Sequence, residues 1–151
     1  MDVREEIDDA LENLKTWSLP RESRLSLLLR LDDLFRAGRF EIGFAEGSVQ
    51  ELIDMLTYET DREVRGRMFE VTERALSVNY PLEPALDELI ANLNDDDPAL
   101  ISYALVLLPL CGERKHLPLV DRYRSHSNDF IRRNAEHAWK YMNGDARADG
   151  P

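Results

Sequence analysis

The sequence predicts an all-α fold, a right-handed superhelix of about four antiparallel helical hairpins. Apolar residues recur at helical spacing along most of the chain, and polar residues that suit helix caps precede these stretches. Three such segments repeat, and the first apolar anchor of each lies 36 and then 31 residues after the previous one. Repeats of this length are typical of helical hairpins that stack side by side. The three anchors are Val64, Leu100 and Ile131.

The length of 151 residues fits one domain, which the helical pattern places over residues 1–144. Residues 145–151 contain no apolar side chain except two alanines, so we expect a disordered tail. The single cysteine, Cys111, follows an apolar stretch, which favours a buried and unreactive thiol. With one cysteine the chain has no internal disulfide.

The first two helices are predicted on either side of a short turn. The first runs from Val3 to Lys15, with apolar residues on one face and carboxylates on the others. Pro20 begins the second, with Ser18 as a candidate cap, and Gly38 ends it. Three glycines between residues 38 and 47 then predict a loop. The loop contains three large apolar residues, Phe40, Ile42 and Phe44, which we expect to pack over the core. The alternative is that the loop is exposed and faces a partner.

The next three helices are predicted from caps and prolines. Ser48 caps the third helix in a capping box with Glu51. Thr60 or Asp61 caps the fourth. Pro81 and Pro84 begin the fifth. The predicted buried faces of the fourth and fifth are Val64, Met68, Val71, Ala75 and Val78, and Leu82, Leu86, Leu89, Ile90 and Leu93.

The last three helices follow an Asp-rich turn. The spacing of Asp95, Asp96 and Asp97 does not fit a calcium loop, whereas Asp97 as cap before Pro98 accounts for it. The sixth helix, from Ala99 to Leu110, is apolar nearly all round, which predicts a central and buried position. The seventh and eighth helices are marked by Leu117, Val120 and Tyr123, and by Ile131, Ala135, Ala138, Trp139 and Met142.

Two of the repeated segments carry a family resemblance. They read Asp61-x-x-Val64-Arg65 and Asn128-Asp129-x-Ile131-Arg132, with small residues following at Ala75, Ala135 and Ala138. This pattern resembles the HEAT-like repeat family over residues 48–143. The resemblance implies that Val64 and Ile131 enter the core and that Arg65 and Arg132 pair with an Asp of a neighbouring turn. The middle repeat has Leu100-Ile101 without the Arg, which interrupts any such ladder, and the spacing is shorter than the roughly 40 residues of typical members.

The net charge of −11 is unevenly distributed. Residues 1–112 carry 24 acidic and 11 basic side chains, whereas residues 113–151 carry 6 and 8. Binding to a phosphate backbone needs clustered Lys and Arg, so no nucleic-acid partner is expected. The acidity favours a basic protein partner, and the alternative is that it only keeps the protein soluble.

The sequence offers little for catalysis. His116, His126 and His137 are 10 and 11 residues apart, which is too far for ligands on one helix face, and Cys111 has no orienting group beside it. Phosphate-binding loops and nucleophile elbows do not occur in the sequence. We therefore expect no enzyme activity, no cofactor and no metal.

The remaining function class is a protein-binding module. In size, charge and predicted architecture the chain resembles bacterial immunity proteins, which neutralise a cognate toxin; the alternatives are a HEAT-like adaptor or scaffold and, third, an enzyme or a HEAT-like DNA-repair protein. We expect a cytoplasmic location because the first twenty residues lack a signal peptide, and no membrane span is predicted. The candidate contact residues are acidic positions of the fourth helix and the Asp-rich turn, with two tyrosines: Glu63, Glu70, Glu73, Asp95, Asp96, Tyr103 and Tyr58.

Overall fold

The computed structural model describes residues 1–16, 18–112 and 114–144. Every regular element within them is helical, which confirms the prediction of an all-α fold. The helices are α1 (Val3–Leu14), α2 (Arg21–Arg36), α3 (Ile42–Tyr58), α4 (Arg62–Val78), α5 (Asp87–Ala91), α6 (Pro98–Cys111), α7 (Leu117–Tyr123) and α8 (Asp129–Met142), with a 3-10 turn at Arg114–His116. None of the helices in these ranges has the length and apolar composition of a membrane span. The predicted disordered tail, residues 145–151, lies outside the described residues.

The described residues form two compact units, which fall within Met1–Glu88 and Leu89–Pro151. In the first unit α2 and α3 both pack against α4, and α1 packs against α2 and α3. In the second unit α6 and α7 both pack against α8. The prediction of one domain over residues 1–144 remains a prediction.

Helices α1 and α2 begin close to the predicted positions. Asp2 caps α1, since its carboxylate accepts a 2.9 Å hydrogen bond from the Glu5 amide. Pro20 directly precedes α2 and no side chain caps that helix, so the predicted role of Ser18 as cap is wrong. The apolar faces of the two helices supply part of the core: Ile7, Ala10, Leu11 and Leu14, and Leu28, Leu31, Leu34 and Phe35.

Helix α3 begins six residues before the predicted cap. Ser48 is buried in the interior of the helix, so the predicted capping box is wrong. The ring centroid of Phe40 lies 6.0 Å from that of Phe35 and 5.5 Å from that of Phe44, which anchors the start of the helix on the core. Ile42 is 59% exposed, so only two of the three predicted apolar residues pack. Packing thus extends the helix through two glycines that predicted a loop.

The predicted fifth helix is largely extended chain. A cis peptide joins Tyr80 to Pro81, and burial then alternates from Leu82 to Leu86, which is the period of an extended strand-like segment. The Gln50 side chain holds this segment through both backbone groups of Ala85, at 2.8 and 3.0 Å. The helix itself comprises five residues, Asp87–Ala91.

The second unit follows the prediction closely. The Asp97 carboxylate accepts a 3.3 Å hydrogen bond from the Leu100 amide and caps α6, which ends at Gly112 with a left-handed backbone (φ 67°). Helix α6 is buried along most of its length, as predicted. Asn128 caps α8 by accepting from the amides of Phe130 and Ile131 at 2.9 and 3.1 Å. The buried face of α8 is Ile131, Ala135, Ala138 and Met142.

Candidate functional site

Helices α2 and α4 form a groove on the first unit with a volume of about 290 Å³, here called the α2–α4 groove. Its apolar surface comes from α2 and from Val71 of α4, and the most accessible part is Leu29, which is 67% exposed. Charged side chains form its rim: Glu22, Asp32, Glu63, Arg67 and Glu70. An exposed leucine between carboxylates is an arrangement that suits an amphipathic partner.

Helical spacing explains why these residues share one groove. Along α4, Glu63, Arg67 and Glu70 are separated by four and three residues and therefore lie on the same face. Along α2, Leu25 and Leu29 are four residues apart and lie on the face toward the groove.

The carboxylates of the rim are paired with arginines of the same chain. Glu63 pairs with Arg21, and Glu70 Oε2 lies 3.0 Å from Arg67 Nη1. These side chains are about half exposed or more, at 50% for Glu63 and 60% for Glu70. Because ion pairs at such exposure contribute at most about 1 kcal/mol, a cation of a partner can replace the arginine at low cost.

Asp61 fixes one end of the groove at the start of α4. Its Oδ1 accepts 3.0 Å hydrogen bonds from the amides of Glu63 and Val64, and its Oδ2 accepts a 2.8 Å bond from Arg21 Nε. These bonds, chiefly that from the Val64 amide, hold the pKa of Asp61 below its usual range. The same pairing raises the pKa of the Arg21 guanidinium. Asp61 and Arg21 therefore both stay charged at neutral pH.

The other predicted contact residues are not among those that line this groove. Glu73 is half-buried and does not line it. Tyr58 is 53% exposed on α3, and its hydroxyl donates to Glu88. The structure thus brings together only Glu63 and Glu70 of the seven predicted residues in this groove.

In the second unit the Asp-rich turn is held by one hydrogen bond within the turn and one to His126. Asp95 Oδ1 lies 3.2 Å from His126 Nε2, and the amide of Asp96 donates to Asn94 Oδ1 at 2.9 Å. Both aspartates are exposed, whereas Tyr103 on α6 is half-buried. The two aspartates are accessible, but these bonds also give the turn a structural role.

No family model matches this chain, and no curated protein or solved structure matches it.

The first unit has a further groove, besides the α2–α4 groove, and of its lining residues only Tyr58 was predicted from the sequence as a contact residue. It is a cavity of about 370 Å³ lined by the end of α1, the first turns of α2 and residues of α3 and α4. Apolar side chains form much of its surface, among them Leu14, Met55 and Met68. Four chain segments meet there that are distant in sequence, and no local motif marks such a meeting point.

The histidines and the cysteine do not form a common site. His126 stabilises its own turn, since Nδ1 accepts a 3.0 Å hydrogen bond from the Asn128 amide. Cys111 is buried at the end of α6, and His137 is exposed on α8. Across residues 1–16, 18–112 and 114–144, no three His, Cys, Asp or Glu side chains are grouped so that they could hold a metal ion. The expectations of no enzyme activity, no metal and no cofactor remain predictions.

Proposed function

We propose that this chain is a non-catalytic protein-binding module of the HEAT-like type, in which the helices form a right-handed superhelix of about four hairpins. The observation that supports the proposal best is the α2–α4 groove, where Leu29 is exposed between carboxylates. The partner is a protein that presents a basic surface with an apolar side chain at its centre.

The charge of the first unit supports a basic partner. Residues 1–88 contain 21 acidic and 11 basic side chains. A net negative surface of this size attracts a basic partner over several ångströms and raises the rate of association. Leu29 then contributes the desolvated contact that slows dissociation, since buried apolar centres carry most of the binding free energy.

Within this class we propose an immunity protein that binds and neutralises a cognate bacterial toxin in the cytoplasm. A small, acidic, helical protein suits this task because a toxin that acts on nucleic acid is commonly basic, and charge complementarity gives rapid capture. An adaptor or scaffold is the second candidate. It is favoured by exposed aromatic residues on both units, Tyr58 and Phe130, which suit more than one contact surface.

Co-expression with the product of the adjacent gene tests the proposal. Cells that express this product alone and together with the chain are compared for growth, and complex formation is measured with the purified proteins. Leu29→Asp removes the exposed apolar contact of the groove. Ile42→Asp is the matched control, because Ile42 is similarly exposed on the same unit but does not line the groove.

An immunity protein restores growth, and Leu29→Asp abolishes the rescue while Ile42→Asp retains it. A complex that forms without any effect on growth would favour the adaptor. If Leu29→Asp and Ile42→Asp lose the rescue of growth equally, the α2–α4 groove is not the binding surface.

A further inference from the structure

The second cavity of the first unit, here called the methionine cavity, has the properties of a small-molecule site. Its volume of about 370 Å³ lies at the lower end of the range for such sites. Met55 is half-buried and Met68 is 1% exposed, so the apolar surface that the two methionines offer is protected and comes mainly from Met55. Methionine adapts its shape to different apolar groups because the side chain is unbranched and polarisable.

The wall of the cavity contains two cations, and each is paired with a carboxylate of the same chain. Lys15 Nζ lies 3.2 Å from Glu12 and also pairs with Glu51. Arg24 pairs with Glu59, and the two side chains are only 20% and 8% exposed. The other oxygen of Glu59 accepts a 2.9 Å hydrogen bond from the Asp61 amide, so this part of the wall is fixed in place.

Asp54 provides a further carboxylate at the cavity. Its side chain is on the exposed side of α3, where Oδ1 accepts a 3.2 Å hydrogen bond from the Gln50 amide group. That amide group also donates to the Ala85 carbonyl at 3.0 Å, so it is shared between two acceptors. The lining as a whole has three carboxylates and two cations, and the exposed ring of Tyr58 stands beside them. Both the excess carboxylate and the aromatic face attract a cation.

We propose that the methionine cavity binds an organic cation with an apolar body, such as an alkyl or aryl ammonium compound. The apolar body packs against Met55 and Met68, and the ammonium group lies toward Asp54. The methionine cavity and the α2–α4 groove share no lining residue. The inference therefore does not depend on the proposed protein-binding function.

Methyl NMR of protein labelled with ¹³C-methyl methionine tests this site. The chain has four methionines, of which Met55 and Met68 line the cavity while Met1 and Met142 do not. We expect 2-phenylethylammonium to shift the Met55 and Met68 methyl resonances saturably and to leave the other two unchanged. The neutral analogue 2-phenylethanol binds about two- to fivefold more weakly, and the anion 3-phenylpropionate binds more weakly still.

Two variants separate the charge from the apolar contact. Asp54→Asn lowers the affinity for the ammonium compound to that for the neutral analogue, whereas Asp33→Asn, an exposed carboxylate of α2 outside the cavity, leaves it unchanged. Met55→Trp fills the cavity and abolishes binding. Circular dichroism verifies the fold of each variant, and if Met55→Trp does not fold, Asp54→Asn decides the test.

Three results would overturn the proposal. One is the absence of a saturable shift at Met55 and Met68 up to about 10 mM ligand, beyond the millimolar affinities of weak sites. The others are equal shifts at all four methionines, and an affinity for the ammonium compound that Asp54→Asn does not change.

A comparison of 2-phenylethylammonium with a capped peptide that has adjacent Phe and Lys identifies the source of the cation. Tighter binding of the peptide assigns a side chain of a protein, and tighter binding of the free amine assigns a small molecule.

Discussion

Arg21 connects the first turn of α2 to the cap of α4, because its Nε donates a 2.8 Å hydrogen bond to Asp61 Oδ2. The other oxygen of Asp61 accepts from the Glu63 and Val64 amides. One carboxylate thus satisfies two amides at the start of a helix and at the same time joins two helices. Since these bonds favour the charged form, the pKa of Asp61 in the folded protein lies below its ordinary value of 3.8.

The lowered pKa of Asp61 predicts acid-sensitive stability in the first unit. A carboxyl whose pKa is depressed by folding stabilises the protein above its ordinary pKa, and this contribution is lost as the pH falls through the folded-state pKa. The free energy of unfolding should therefore decrease as the pH falls below 3.8. In Asp61→Asn the decrease should be smaller, because asparagine still caps the helix but does not titrate. Urea unfolding at about pH 7 and about pH 3 measures this decrease in the wild type and in Asp61→Asn, with Asp33→Asn as control. An unchanged pH dependence in Asp61→Asn would contradict this assignment.

The helix starts that depend on one side chain were predictable from the sequence. Asp61, Asp97 and Asn128 each accept from amides at the start of the helix that follows; Asp97 was predicted as a cap, and Asp61 was one of two predicted candidates. Their geometry is local, since an oxygen two or three residues before an amide reaches it without help from the rest of the fold. The apolar anchors after these caps, Val64 and Ile131, are correspondingly buried.

The elements that depend on distant contacts were not predictable in this way. Helix α3 begins at Ile42 because Phe40 packs on both Phe35 and Phe44. The segment before α5 is extended and is held by Gln50. In both cases a tertiary contact outweighs local propensity, which is worth about 1 kcal/mol or less for each glycine.

The candidate sites show the same division. Glu63 and Glu70 share a groove because they lie seven residues apart on one helix, which is visible in the sequence. Their ion-pair partners, Arg21 and Arg67, differ in whether the sequence could assign them. Arg67 is on the same helix, whereas Arg21 comes from α2 and could not be assigned without the fold. The methionine cavity combines residues of four helices, and of its lining only Tyr58 was predicted from the sequence as a contact residue.

Asn79 is a buried polar residue whose removal should be costly. It is 2% exposed, and its Oδ1 accepts a 2.7 Å hydrogen bond from the Phe40 amide while its Nδ2 donates to the Ala75 carbonyl at 2.9 Å. Asn79→Ala should lower the free energy of unfolding by about 1–3 kcal/mol, because it leaves a backbone amide without its acceptor. Asn13→Ala, at an exposed position, should stay within about 0.5 kcal/mol. A comparably small loss for Asn79→Ala in urea unfolding would show that water replaces the side chain.

Helix α6 should be sensitive to truncation of its apolar side chains. Leu105 and Leu107 are 1% and 0% exposed. Leu105→Ala or Leu107→Ala should each lower the free energy of unfolding by about 2–5 kcal/mol, because each leaves a cavity in a packed core. Val106→Ala serves as the comparison, since Val106 is only half-buried on the same helix and should cost less. Chemical denaturation that finds losses under about 0.5 kcal/mol at both leucines would contradict the burial of this helix.

Charge reversal on α4 should slow association with a basic partner. Glu70 is exposed and Glu73 is half-buried, and both contribute to the negative surface of the first unit. Glu70→Lys combined with Glu73→Lys should lower the association rate constant about tenfold at low salt, and added salt should diminish the difference. Asp8→Lys combined with Asp9→Lys makes the same change in net charge on the exposed face of α1 and should have a smaller effect. Surface plasmon resonance measures the rates, and a rate that responds equally to both pairs would indicate a dependence on net charge rather than on α4.

The protein should bind its partner without a metal and without its histidines or cysteine. His126 contributes to a turn through the Asn128 amide, and Cys111 is buried in the apolar end of α6. A variant in which Cys111 and the three histidines are all replaced should therefore remain folded and bind with little loss, and Cys111→Ala alone should cost about 1 kcal/mol through packing. Elemental analysis of the purified wild-type protein comes first, and we expect no stoichiometric zinc. A stoichiometric metal, or a folded variant that has lost all activity in cells, would contradict the proposed non-catalytic function, because both would require chemistry from residues that we assign to structure alone.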